Sequence, residues 1–217
     1  MSRYIADRIR EIAAKNNDGR PLVIFLGGNI GAGKSTVISE LKEFKKIEEK
    51  IDLWRDVEGF DLFGAYLKNP KKYSSIFQYI ALLTKEIGLI EQMDNTSEPI
   101  IVERSPIDDT LVFAQLLHDE GNISDEEFKT HKTIMTEFMK ILSKKMNLIY
   151  VYVYTPPDIC FERMIKRNRP GEVETYTIDF FRKLDDLYRH VVASTPFTKY
   201  VLSGEIEFPH GDTESLQ

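Results

Sequence analysis

One stretch of eight residues constrains this chain more than any other. Gly28-Asn29-Ile30-Gly31-Ala32-Gly33-Lys34-Ser35 fits the spacing G-x-x-x-x-G-K-[ST]. A continuous apolar run, Pro21 to Leu26, precedes it, and Thr36-Val37-Ile38-Ser39-Glu40-Leu41 follows as the opening of a helix. Such a run suits a strand buried on both faces of a parallel sheet. Strand, glycine loop and helix in that order form a cradle for phosphate. Glycines let the backbone wrap an anion, and the helix start adds free N–H groups and a positive dipole end. Lys34 brings a charge to the β- and γ-phosphates, and the Ser35 hydroxyl can ligate Mg²⁺. The chain is therefore expected to bind a nucleoside triphosphate through Gly28 to Ser35 and the adjoining Thr36.

The rest of the chain repeats the strand-then-helix order. Apolar runs recur at Pro99 to Val102, Leu148 to Tyr154 and Lys199 to Leu202, with helix-length segments between them. Ser124-Asp125-Glu126-Glu127 has the form of a capping box, followed by a helical stripe from Phe128 to Leu142. Strands alternating with helices predict an α/β fold: about five parallel strands surrounded by helices, joined by right-handed crossovers. At 217 residues with no Pro/Gly/Ser-rich linker, one domain over residues 1–217 is expected, with a frayed polar tail over 208–217. The first residues carry Arg3, Arg8 and Arg10 but also Asp7 and Glu11, and Ile5, Ile9 and Ile12 recur at helical spacing. That pattern predicts a helix of the domain rather than a targeting segment, and the default compartment is the cytosol.

Composition narrows the class. The single cysteine, Cys160, excludes an intrachain disulfide and reads as a small core residue; the longest apolar run is far shorter than the ~20 residues a membrane span needs. A net charge of −6 weighs against a general nucleic-acid binder. His118, His131, His190 and His210 share no metal-ligand spacing.

A second cationic cluster suits the phosphate loop. Arg163 and Arg167 are four apart on one helix face, with Lys166 and Arg169 close by. Phosphoryl transfer needs such cations, because its charge spreads over equatorial oxygens. Pro170-Gly171 predicts that the helix breaks into a lid over about residues 163–175. The guanine motif N-K-x-D of GTPase switches is absent, and the strand after residue 98 ends in Glu103-Arg104-Ser105 rather than in the Asp of a motor. Phosphoryl transfer to a small acceptor is the reading these features favour.

At this point the sequence resembles the deoxyribonucleoside kinases, the deoxycytidine and deoxyguanosine kinases with their viral and bacterial relatives. The resemblance rests on the phosphate loop, Glu49 with Trp54, Glu103-Arg104-Ser105, and the Arg163/Arg167/Arg169 lid, in order over nearly the whole chain. It implies a P-loop kinase that uses ATP and Mg²⁺ to phosphorylate a deoxynucleoside 5′-hydroxyl. By the same resemblance, Glu49 is the general base, Arg104 holds the 5′-oxygen region and Glu49, and Glu103 joins Ser35 at the metal. Gln78 pairs with the base, flanked by Phe77 and Phe113 and lined by Ile30, Trp54 and Tyr66. Glu172 takes the sugar 3′-hydroxyl. Two positions depart from the family pattern: Lys50 replaces a Pro, and Leu67 stands where the family has Tyr. Ala81, Lys85 and Asp109 look like the set of deoxycytidine- and purine-preferring members. Asp109 can accept from an exocyclic amino group that thymine lacks, and Lys85 adds a cation. The resemblance further implies a homodimer through helices around residues 106–146, and feedback binding of a deoxynucleoside triphosphate. A thymidylate-kinase-like monophosphate kinase, or a non-catalytic triphosphate-binding regulator, would carry the same loop.

Overall fold

A computed structural model describes residues 2–16, 18–93 and 98–203. The tail over 208–217 and His210 lie outside the described residues. Five parallel strands form one sheet in the order β2-β3-β1-β4-β5: β1 Leu22–Gly27, β2 Lys45–Ile47, β3 Ile100–Glu103, β4 Asn147–Tyr154 and β5 Thr198–Ser203. Four of them fall on the apolar runs of the sequence. The fifth, β2, is a three-residue edge strand whose two lysines hide it among loop residues.

The sheet separates two cores, as runs apolar at every position require. Val23 and Phe25 of β1, Ile100 and Val102 of β3, and Leu148, Tyr150 and Tyr152 of β4 face one side. There they meet α5 (Pro70–Met93), α8 (Asp125–Lys145) and α11 (Ile178–Ser194). Ile24, Leu26, Ile101, Ile149 and Val151 face the other side, against α1 (Ser2–Lys15) and α2 (Lys34–Glu40). Helix α1 buries Ile5, Ile9 and Ile12 there, as their spacing predicts.

Local chemistry sets the helix ends. The Ser124/Glu127 capping box forms at the start of α8. A second box, which the sequence also spells as S-x-x-D, closes on Ser105 and Asp108 at α6 (Pro106–Asp108). The chain then enters a π-helix, Asp109–Ala114, and α7, Gln115–Asp119. The remaining helices are α3 (Ile51–Arg55), α4 (Leu62–Lys68), α9 (Pro157–Arg167) and α10 (Glu172–Thr175). Helix α9 stops at Arg167, where Asn168 takes φ 51°, two residues before the expected break at Pro170. Asparagine tolerates that left-handed conformation, so it ends the helix before the proline has to. Cys160 is fully buried in α9. Among the described residues no helix is long and apolar enough to cross a membrane, and no His, Cys, Asp or Glu cluster could hold a metal by those residues alone.

Candidate active site

Strand order puts the site where the chain reverses its direction across the sheet. From β1 the sheet runs to β3 on one side and β4 on the other, and ligands of such sheets bind beyond the strand ends at that point. A cavity of about 620 Å³ opens there, lined at one end by Ile30 to Thr36 and at the other by Gln78, Ala81 and Asp109.

The phosphate loop is tightly seated. A Cβ on Gly31 would stand 2.4 Å from the Cys160 carbonyl oxygen, and its φ of 77° is one that only glycine adopts cheaply. Asn29 anchors the loop from below: its side-chain amide donates to the Phe181 carbonyl at 2.9 Å, and its oxygen accepts from the Ile30 N–H at 2.8 Å. The Lys34 ammonium donates to the Gly28 and Asn29 carbonyls at 2.9 and 3.0 Å. Burial, and then the nearby Arg104, pull its pKa down to about 7. An anion in the cradle would oppose both effects.

Beside the loop, the Ser35 hydroxyl donates to Glu103 at 3.0 Å. One hydroxyl and one carboxylate at the mouth of the strands are hard oxygen donors of the kind Mg²⁺ takes together with water and phosphate. Arg104 follows Glu103 with φ 63°, a strained conformation for a residue with a side chain. Its guanidinium pairs with Glu49 and lies 4.4 Å from the centre of the Phe113 ring. Glu49 and Arg104 are thus in direct contact across 55 residues of chain.

The far end of the cavity is aromatic. Tyr66 stacks on Phe77 at 4.6 Å and 10°, and Trp54 meets Phe77 edge-on at 5.5 Å and 89°. Phe63 and Tyr176 join this wall, and neither was singled out from sequence, since only the tertiary placement of α4 and α10 brings them there. Lys85 and Asp109 form a buried ion pair at 2.5 Å rather than a surface bridge. Asp109 lines the cavity, while Lys85 stands behind it. Next to them the Glu86 carboxyl, pushed up to about 7 by burial and then by Asp109, has one oxygen without a hydrogen-bond partner.

In the lid, Glu172 is buried and accepts from Arg167 at 2.6 Å and Arg169 at 3.3 Å. Like charges stacked along a helix repel, and the lid's own carboxylate relieves that repulsion in part. Arg163 turns towards the Gly31 carbonyl, 3.4 Å away. Arg55 donates to the Pro170 carbonyl at 2.7 Å, and so ties the lid to α3.

Sequence reasoning passed over a buried polar centre under the site. Tyr150 donates to Asp108 at 2.5 Å, and Asp108 accepts from the Ser105 N–H at 2.8 Å. Burial raises the Asp108 carboxyl to about 6. Gly27 makes room for this pair, since a Cβ there would overlap the Tyr150 hydroxyl at 2.1 Å.

Comparison with known proteins settles the family. The family model for deoxynucleoside kinases matches residues 24–215. The chain belongs to the deoxynucleoside kinase family. It is 37% identical over 168 residues to a probable deoxycytidine kinase of Fowlpox virus, covering 75% of this chain and 68% of that protein. A deoxyguanosine kinase of Lactobacillus acidophilus is 30% identical over 176 residues, covering 77% of this chain and 73% of its own. A thymidine kinase of Ictalurid herpesvirus 1 is 28% identical over 179 residues, covering 80% and 75%. This deoxynucleoside kinase is an enzyme that transfers phosphate from a nucleoside triphosphate to the 5′ position of a nucleoside.

Proposed function

We propose that this kinase prefers deoxycytidine or a purine deoxynucleoside over thymidine. The observation that carries the reading is the buried Lys85–Asp109 pair, with Asp109 opening onto the cavity. A buried carboxylate left facing a base without an amino group loses a hydrogen bond it cannot regain from water, which makes discrimination strong. Initial rates with all four deoxynucleosides, ATP and Mg²⁺ test it. Thymidine should be slower by at least about tenfold. A clear thymidine preference would overturn the reading of Asp109, and turnover of deoxycytidine monophosphate in place of deoxycytidine would favour a monophosphate kinase.

The roles proposed are those the family resemblance implies, and the arrangement of the cavity supports them. Glu49 removes the 5′-hydroxyl proton while Arg104 orients both; the oxygen then attacks the γ-phosphorus and the diphosphate leaves. Gly28 to Thr36 bind the triphosphate, with Lys34 on its β- and γ-oxygens. Ser35 and Glu103 would hold Mg²⁺, which would supply charge neutralisation for the transferring phosphate. Arg163, Arg167 and Arg169 close over the phosphates, and Glu172 takes the 3′-hydroxyl. Ile30, Trp54, Tyr66, Phe77 and Phe113 enclose the nucleoside, Gln78 pairs with its base, and Ala81 leaves space for it. One cavity runs from the loop to Asp109, so a deoxynucleoside triphosphate bound in reverse, base in the acceptor end, could serve as a feedback inhibitor.

The chain works as one kinase unit, in the cytosol, as a homodimer. The sequence reading expects the contact face on helices around residues 106–146; the exposed apolar residues favour α5 instead, with α8 as the part of that range that joins it. Ile76, Leu83, Ile87 and Ile90 are exposed along one stripe of α5, and Ile141 is exposed on α8. Light scattering should give twice the 25.2 kDa chain mass, and Ile87→Glu with Ile90→Glu should halve it. A wild-type monomer would refute the dimer.

A further inference from the structure

His131 lies behind the base end of the cavity, on α8, only 2% exposed. It touches both elements that carry the proposed base-reading groups. Its Nε2 is 3.2 Å from the Gln78 carbonyl oxygen on α5, and its Nδ1 is 3.1 Å from the Thr110 hydroxyl in the π-helix. A carbonyl can only accept, so Nε2 carries a hydrogen. Burial pushes the imidazole pKa down, and a neutral ring with that hydrogen leaves Nδ1 bare, 3.1 Å from the Thr110 hydroxyl oxygen. The Thr110 hydroxyl also lies 2.9 Å from the Pro106 carbonyl, to which it donates, so its one hydrogen is shared between that carbonyl and Nδ1.

The elements it joins need a tie. Gln78 and Asp109 reach the cavity from different helices, and the π-helix beginning at Asp109 is a rare conformation that sequence propensity does not favour. Nothing in its sequence, Asp109-Thr110-Leu111-Val112-Phe113-Ala114, forces that winding. Its packing against α5, α8 and α11 must therefore do so.

We propose that His131 is a positioning residue for base recognition, holding the Gln78 amide and the Asp109 carboxylate at the separation a base edge must match. This rests on the base-reading roles proposed above. The test measures kcat and KM for deoxycytidine, thymidine and ATP, with Tm, in His131→Phe, His131→Gln and Thr110→Val. His131→Phe keeps a ring but loses both hydrogen bonds. It should raise nucleoside KM and cut the preference between nucleosides by about fivefold or more, with KM for ATP unchanged. His131→Gln, whose amide can still donate to the Gln78 carbonyl, should recover most of the preference. Thr110→Val should shift it in the same direction by less. An unchanged preference, with lower Tm or an equal fall in rate for every nucleoside, overturns the proposal. If His131→Phe does not fold, an unchanged preference in Thr110→Val does so. If the wild type itself shows no preference, the base-reading roles fail instead. The tie is then judged by whether His131→Phe raises nucleoside KM alone.

Discussion

Glu49→Gln should lower kcat by about 10²- to 10⁴-fold, while nucleoside KM stays within a few-fold of wild type. The amide keeps the shape of the side chain and can still meet the Arg104 guanidinium, which the carboxylate contacts. It cannot take a proton from the 5′-hydroxyl. The loss therefore falls on a step made only in the transition state and leaves ground-state binding almost untouched. Single-turnover transfer of labelled γ-phosphate measures this without interference from product release. A rate within tenfold of wild type would sink the assignment. The same experiment disposes of a non-catalytic triphosphate-binding role, because such a protein has no turnover for the substitution to remove.

The second large effect is on stability. Asp109→Asn removes the partner of Lys85, a residue only 4% exposed. Breaking one side of a buried ion pair strands the other charge and costs about 3–5 kcal/mol. For a domain of this size that is a fall of about 10 °C in Tm. Replacing both at once, Lys85→Met with Asp109→Leu, should restore most of that loss, because a buried apolar pair of similar volume is often as stable as the ions. Yet the double variant should lose its preference between bases. Calorimetry and nucleoside rates on the three proteins separate what the pair does for the fold from what it does for recognition. If the single and double variants melt together, the pair is not held as the geometry indicates.

Where the chemistry is local in sequence, it was legible. Gly28 to Ser35 could be read because cradle, lysine and hydroxyl sit on one short turn whose spacing the backbone dictates. The Ser124/Glu127 box could be read for the same reason, and Ser105/Asp108 was there to be read. The contact between Glu49 and Arg104 was reachable only through family resemblance, since no local rule spans the chain between them. Phe63, Tyr176 and His131 were invisible as site residues. Phe63 and His131 sit in ordinary helices and Tyr176 just past the end of one, and their relation to the cavity depends on where those helices dock. Strand β2 was missed because edge position allows Lys45 and Lys46 in place of an apolar run. The π-helix was missed because its winding is imposed by three packed neighbours and not by Asp109 to Ala114 themselves.

Cys160 gives the chain an experimental convenience. It is the sole thiol in the sequence and is fully buried, and burial lifts its pKa to about 12. Almost none of it is thiolate at neutral pH, so it should ignore maleimide dyes. A cysteine placed at the exposed lid residue Lys166 would then be the one position labelled, with no background thiol to remove first. A fluorophore there would report lid movement directly, in an enzyme otherwise left as it is.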